Sequence, residues 1–241
     1  MRNVAIILAG GIGSRMGLPI PKQFMIIYGK PVIIHTLMNF ERNENVDDIL
    51  IVCEKNWIQF MTDMVKEHGI SKVRWIIPGG DTGHDSTRNG VFHLKDILKE
   101  GDFVIIHDAA RPILPQAAIN EMIELAREKG NASLAIPCYE TAIYTDDQKS
   151  GTEELNREHI MRVQTPQMYE YSKFRSWYER AEEENKHDFV YADILALYYG
   201  ERVYFSTGFV NNIKITRQED VPLCEALMGF TEEQLFTKTK K

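Results

Sequence analysis

The chain has 241 residues, 44% of them hydrophobic and 26% charged. That is ordinary globular composition, which excludes disordered, collagen-like and low-complexity classes. Lysine and arginine number 28 against 35 acidic residues, a formal net charge of −7, so the basic excess of a duplex-binding protein is missing and nucleic acid is not expected as a partner.

In chain order, Val4–Leu8 is the first expected strand, closed by Gly10 and Gly11. Asp48–Cys53 is the second. A helix is expected over Trp57–Glu67, where Trp57, Phe60, Met61, Met64 and Val65 recur at helical spacing. Val73–Ile77 is a third strand, stopped by Pro78, Gly79 and Gly80. Phe103–Ile106 reads as a buried strand. Ile119–Arg127 reads as a helix with Ile119, Met122, Ile123 and Ala126 on one face, and Leu134–Ile136 as a short strand. Tyr139–Arg157 is polar and has no periodic face, which fits either a surface loop or a protruding arm used in self-association. Two helices (Ser172–Lys186, Asp193–Tyr199) and two strands (Val203–Phe205, Asn212–Thr216) complete the series. One domain is expected over residues 1–229, with a frayed tail over 230–241.

Strand, helix, strand at intervals of about 25–30 residues predicts an α/β fold with a single doubly wound, mainly parallel, Rossmann-like sheet. Ligands of such sheets sit beyond the carboxyl ends of the strands, which selects residues 10–17, 78–86 and 107–112. Cys53, Cys138 and Cys224 have no paired spacing, so neither a disulfide framework nor a zinc knuckle is suggested. The apolar run Val4–Ala9 is too short for a signal peptide. No stretch approaches the roughly 18–20 apolar residues that span a bilayer. The expectation is a cytoplasmic protein with no membrane partner.

Five segments carry candidate chemistry. Leu8–Gly17 (LAGGIGSRMG) places glycines after the first strand, where backbone N–H groups can cradle phosphate oxygens. It is not a P-loop, and Met16 breaks a dinucleotide fingerprint. Arg15 and Lys22 instead flank the loop with fixed positive charge suited to a triphosphate; the plain alternative is a tight turn with two solvated cations. His107–Pro112 (HDAARP) puts Asp108 at a strand's carboxyl end, beside small residues that leave room for a substrate or metal. The plain alternative there is an Asp capping a turn. His107 reads as a packed or solvated residue rather than a catalyst. Gly79-Gly80-Asp81 with Ser86 permits close approach to a base or sugar, and is also a common turn. Asn156-Arg157 with Gln164–Gln167 (QTPQ), and Asn211–Thr216 (NNIKIT) with Lys214, read individually as loop or strand end.

Taken together, these five segments resemble the cytidylyltransferases that act on sugar-alcohol phosphates, such as 2-C-methyl-D-erythritol 4-phosphate and ribitol-5-phosphate cytidylyltransferase. The resemblance runs from about Asn3 to Leu227. It implies that Ala9, Gly10, Gly11 and Gly13 hold the CTP phosphates, with Arg15 and Lys22 on the triphosphate. It implies that Gly80, Asp81 and Ser86 serve the cytosine, and that Asp108, Ala109 and Arg111 contact ribose and acceptor. Lys214 matches the family's late lysine. Arg157 and Thr165 match positions that grip the acceptor's phosphate, Arg157 from a partner subunit, so a homodimer is implied. Catalysis would rest on Arg15, Lys22, Arg157 and Lys214 with Mg²⁺. An acceptor phosphate that is already an anion needs no Ser, Cys or His base, only the alignment of two polyanions and stabilisation of the added charge.

The chain departs from the family in two places. Gly83 stands where the family usually has Arg, and Phe189–Asp193 lacks the Thr-Asp pair that lines the acceptor site. The HDAARP block ranks the methylerythritol acceptor first; the altered stretch keeps ribitol 5-phosphate or another polyol phosphate as the alternative. Three other readings compete. An NAD-dependent dehydrogenase would use Glu54 on the ribose. A non-catalytic homologue would bind nucleotide without turnover. A uridylyl- or adenylyltransferase would share the sheet.

Overall fold

The computed structural model describes residues 1–11 and 20–236. Its elements are, in order, β1 (Asn3–Ala9), β2 (Ile26–Ile27), β3 (Lys30–Pro31), α1 (Val32–Glu41), β4 (Asp48–Cys53), α2 (Ile58–Glu67), β5 (Val73–Pro78), α3 (Gly83–His93), β6 (Phe103–Asp108), α4 (Gln116–Lys129) and β7 (Asn131–Pro137). They continue with β8 (Ala142–Tyr144), β9 (Glu153–Leu155), β10 (Met161–Glu170), α5 (Tyr171–Glu183), α6 (Ala192–Tyr198), β11 (Phe205–Thr207), α7 (Asp220–Met228) and α8 (Glu232–Leu235).

Among the described residues, seven strands form one sheet in the order β11-β7-β10-β6-β1-β4-β5. β1 pairs in parallel with both β4 and β6, β4 with β5, and β7 with β11; β10 alone runs antiparallel to its neighbours. The pleat sends alternate side chains to opposite faces. Ala5, Ile7 and Ala9 of β1, with Ile49 and Ile51 of β4, join α1, α2 and α4 on one face. Val4 and Ile6, with Leu50 and Val52, join α3, α5 and α6 on the other. Both faces are therefore covered, which is why these strands read as continuous apolar runs instead of alternating ones.

The structure departs from the sequence reading in several places. β10 is not among the expected strands: QTPQ reads as loop because it is polar and contains Pro166. The proline lies within the break in register between Val163 and Gln167, where the ladder needs no donor from it. Asn212–Thr216 is not a strand; it is an irregular segment pinned by the Ile215 N–H to the Ala110 carbonyl at 2.9 Å. The strand expected at Val203–Phe205 forms two residues later. α1 and α3 are also additions to the expected elements. α3 starts in a capping box, in which the Thr82 hydroxyl accepts from the Asp85 N–H and the Asp85 carboxylate accepts from the Thr82 N–H. The tail is not frayed through residue 236. Glu232 accepts from Arg42 and from the Gln116 N–H, and Phe236 is buried edge-on to Phe209.

Residues 139–157 contain the exposed β8–β9 hairpin. Its tip is ordered by Asp147, whose carboxylate accepts from the Lys149 and Ser150 N–H groups at 2.8 Å each.

Candidate active site

Three strand ends meet at one place. β1 is where the chain reverses its order of strand addition, with β4 on one side and β6 on the other, and the crevice outside the carboxyl ends at such a point is the usual ligand site. The Ala109 N–H donates to the Leu8 carbonyl at 3.0 Å, tying the end of β6 to the end of β1. The Gly79 N–H donates to the Cys53 carbonyl at 2.7 Å and ties β5 to β4 in the same way. Gln23, in the 3₁₀ turn Lys22–Phe24, is buried and donates to the Ala9 carbonyl at 2.7 Å. That bond spans 14 residues of sequence and carries the neighbouring Lys22 back to the glycine loop.

The resulting cleft is lined by Ala9, Gly10, Gly11, Lys22, Gly80, Asp81, Ser86, Asp108, Ala109 and Lys214. Ten of the expected site residues thus converge. Gly13 and Arg15 lie outside the described residues. Ser86 joins two loops: its hydroxyl accepts from the Gly80 N–H at 3.2 Å, and a Cβ on Gly10 or Gly79 would meet it at 3.3 or 2.8 Å. A Cβ on Gly80 would fall 2.2 Å from that of Asp85, so the requirement for glycine here comes from the turn into α3.

Asp108 is the electrostatic centre. Lys214 Nζ donates to its Oδ1 at 2.8 Å and Arg111 Nε to its Oδ2 at 3.0 Å. Burial by itself would raise its pKa, but the two cations outweigh that and hold the carboxyl well below the usual carboxylate range. Arg111 differs from the expectation of a nucleotide contact. It does not line the cleft; its Nη1 donates to the Asn212 carbonyl at 2.7 Å, and the guanidinium fixes Asp108 from behind. Asn212 in turn donates to the Thr165 carbonyl at 2.8 Å, so one network positions both Lys214 and Thr165. The Thr165 hydroxyl accepts from the Asp108 N–H at 3.3 Å.

A second recess, of about 530 Å³, continues from the cleft and shares Asp108 and Lys214 with it. It also shares Thr82, and its walls add Thr87, Thr165, Gln167, His84 and His187. Of these, Thr165 and Gln167 fall in QTPQ, and Thr82 and His84 lie within the stretch 78–86 that the sequence selects, though neither is singled out there. His84, Thr87 and His187 carry no spacing signal, because α3 and the 186–191 stretch meet only in the folded chain.

Two further candidates lie elsewhere. Arg157 is exposed at the base of the hairpin, donates to the Tyr139 carbonyl at 2.8 Å, and reaches neither the cleft nor the recess of its own chain. His107 is fully buried and tilted against Phe40, with Nε2 3.1 Å from the Arg111 carbonyl; burial pushes its pKa down to about 4. It is a packed residue. Glu54, which a dehydrogenase would need on a ribose, accepts instead from the N–H and side-chain amide of Asn56 and is not part of the cleft wall. Among the described residues, no group of three or more His, Cys, Asp or Glu side chains is placed to hold a metal ion, and no helix is long and apolar enough to cross a membrane.

Residues 3–230 match the family described as IspD: 2-C-methyl-D-erythritol 4-phosphate cytidylyltransferase. The chain is 36% identical to the ribitol-5-phosphate cytidylyltransferase of Lacticaseibacillus paracasei, over 93% of this chain and 97% of that protein. It is also 36% identical to the 2-C-methyl-D-erythritol 4-phosphate cytidylyltransferase of Clostridium botulinum strain Langeland, over 94% and 97%. Among solved structures, the 4-diphosphocytidyl-2C-methyl-D-erythritol synthase of Anaerococcus prevotii superposes with a TM-score of 0.81 at 26% identity, covering 95% of this chain and 96% of that one.

Proposed function

This chain belongs to the IspD family, and we propose that it joins CTP to ribitol 5-phosphate, forming a CDP-polyol and releasing pyrophosphate. The reaction class is that of the family: a CTP-dependent cytidylyltransferase acting on a sugar-alcohol phosphate. The observation that carries the reading is the continuity of a cleft holding Lys22 and the glycine loop with a recess holding Thr165, through the shared pair Asp108–Lys214.

In this reading the triphosphate lies along Gly10, Gly11 and Lys22, and the cytosine faces Gly80, Asp81 and Ser86. The acceptor's phosphate oxygen attacks the α-phosphorus; the bond from that phosphorus to the bridging oxygen breaks, and pyrophosphate leaves. No proton has to be removed from the nucleophile. What the protein contributes is alignment of two polyanions and fixed positive charge in line, from Lys22 and Lys214.

Mg²⁺ is part of this proposal. Both oxygens of Asp108 already accept from cations, so an ion would be carried in on the nucleotide's phosphates, with Asp81 and Asp108 the carboxylates of the cleft that could hold it. When bound, it would draw charge from the phosphate oxygens. A homodimer is also proposed. In this reading the exposed Arg157, which lies outside the cleft and the recess of its own chain, serves a second copy's acceptor phosphate.

Ribitol 5-phosphate is supported by the polar side of the recess, where Thr82, Thr87, Thr165 and Gln167 offer partners to several hydroxyls; Leu8, Ile106, Phe189 and Val190 line the rest of it. The second reading, 2-C-methyl-D-erythritol 4-phosphate, is favoured by the intact HDAARP block. Mg²⁺-dependent pyrophosphate release from CTP with each acceptor in parallel, with Lys22→Ala as blank, tests both. Binding of CTP without release from either acceptor would instead support a non-catalytic homologue, and competition among the four nucleoside triphosphates tests the base.

A further inference from the structure

His84 is the second residue of α3 and is 3% exposed, yet its Nε2 is buried without a hydrogen-bond partner. Its ring centroid stands 5.0 Å from that of Tyr178, 5.5 Å from Phe189 and 6.4 Å from His187. Tyr178 belongs to α5 and to the core. Phe189 and His187 belong to residues 186–191, which have no helix or strand and form the outer wall of the recess. A buried polar atom left unpaired costs about 1–3 kcal/mol. Packing alone does not explain it, because a phenylalanine would fill the same space without that cost.

We propose that His84 is a specificity residue for the hydroxyl-bearing end of the acceptor, its Nε2 bonding a polyol hydroxyl once the Phe189 side of the wall shifts to admit it. The inference rests on reading the recess as the acceptor site. Three observations support it. The histidine shares the recess with Thr165, Gln167 and Lys214, so one molecule can touch both ends. Two of the rings packed around it, Phe189 and His187, come from the irregular stretch, the part of the wall least constrained by backbone ladders. Burial also lowers the imidazole's pKa, although Asp85 opposes this. The ring is then neutral, with one N–H and one lone pair. A hydroxyl both donates and accepts, so it pairs with Nε2 in either tautomer; a phosphate oxygen pairs with only one.

The test is steady-state kinetics of His84→Phe and His84→Gln with the better of the two acceptors. Phenylalanine keeps the ring packing and loses the nitrogen; glutamine keeps a hydrogen-bonding group. The expected result for His84→Phe is an acceptor KM raised about 10- to 100-fold, with the KM for CTP within about twofold and the melting temperature not lowered. Glutamine should recover part of the loss. A deoxy acceptor lacking the bonded hydroxyl should be used equally well by wild type and His84→Phe, a comparison that holds even if the variant is less stable. An unchanged acceptor KM in His84→Phe, or equal rises in both KM values, overturns the proposal. A wild type that releases no pyrophosphate with any polyol phosphate overturns the reading of the recess itself, a different outcome from an active wild type indifferent to residue 84.

Discussion

The Nζ of Lys214 lies 2.8 Å from Oδ1 of Asp108, joining the irregular segment after β11 to the carboxyl end of β6 across 106 residues of sequence. Asp108 is thereby held ionised, and Lys214 is held at the junction of cleft and recess. Lys214→Ala should lower turnover by about 10²- to 10³-fold, the usual loss when one stabiliser of developing charge is removed. The fold should survive, since Arg111 still pairs with Asp108. Single-turnover pyrophosphate release at saturating CTP measures this; turnover within a few-fold of wild type would remove Lys214 from the chemistry.

Lys22→Ala should produce a loss of comparable size, on the order of 10²-fold or more. The control is Gln23→Ala, which keeps the lysine but removes the bond to the Ala9 carbonyl that brings it to the loop. If positioning matters as the geometry implies, Gln23→Ala should fall between wild type and Lys22→Ala. Equal activity of Gln23→Ala and wild type would show that the tether is dispensable.

Gly80→Ala should raise the KM for CTP at least about tenfold, because its Cβ would sit 2.2 Å from that of Asp85 and the turn must move. Gly83→Ala is the matched control: a methyl group added there would meet nothing within 4 Å, and the change should be mild. Comparable effects from the two substitutions would refute the steric account.

Asp193 is a buried carboxylate that accepts from Ser133, Gln167 and Tyr169. Burial raises its pKa while the hydrogen bonds from Tyr169 and Ser133 pull it down. Asp193→Ala leaves three buried donors without an acceptor and should cost about 3 kcal/mol or more. In a domain of this size that is roughly 6–12 °C in Tm. Asp193→Asn, which retains one oxygen, should cost less. Differential scanning calorimetry reads both, and a shift of under about 2 °C for the alanine would contradict the network.

His107 predicts a pH dependence of stability. Its folded pKa is pushed down to about 4 by burial, against about 6.5 unfolded. Between those values the unfolded chain binds a proton that the folded chain does not, so stability falls as pH is lowered through that window and levels off below it. The contribution is on the order of 3 kcal/mol. Urea unfolding at pH 7, 5.5 and 4.5 should show a steeper loss for wild type than for His107→Gln; parallel losses would assign the effect to other groups.

The sheet's inner strands are legible in the sequence because they are covered on both faces and so read as unbroken apolar runs. The same logic fails for β10, whose centre is Gln164–Gln167. Gln167 is polar and buried because Asp193 accepts its amide, a partner that lies 26 residues away and carries no local signal. Arg111 illustrates the matching limit within the site. Its place in HDAARP is plain, but whether the guanidinium faces a ligand or its own Asp108 depends on the Asn212 carbonyl, 101 residues on.

By itself, the sequence determined the doubly wound sheet, the glycine loop at its first switch point and the chemical character of the site: cations, small residues and no nucleophile–base pair. These are properties of local pattern, set by periodicity and by residue type at strand ends. The tertiary structure alone decided that Gln23 ties back to the Ala9 carbonyl, that Arg111 backs Asp108, and that His84 lies in the wall of a recess completed by residues 186–191. Each of those depends on hydrogen bonds or packing between segments far apart in the chain, and such contacts exist only once both faces of the sheet are closed.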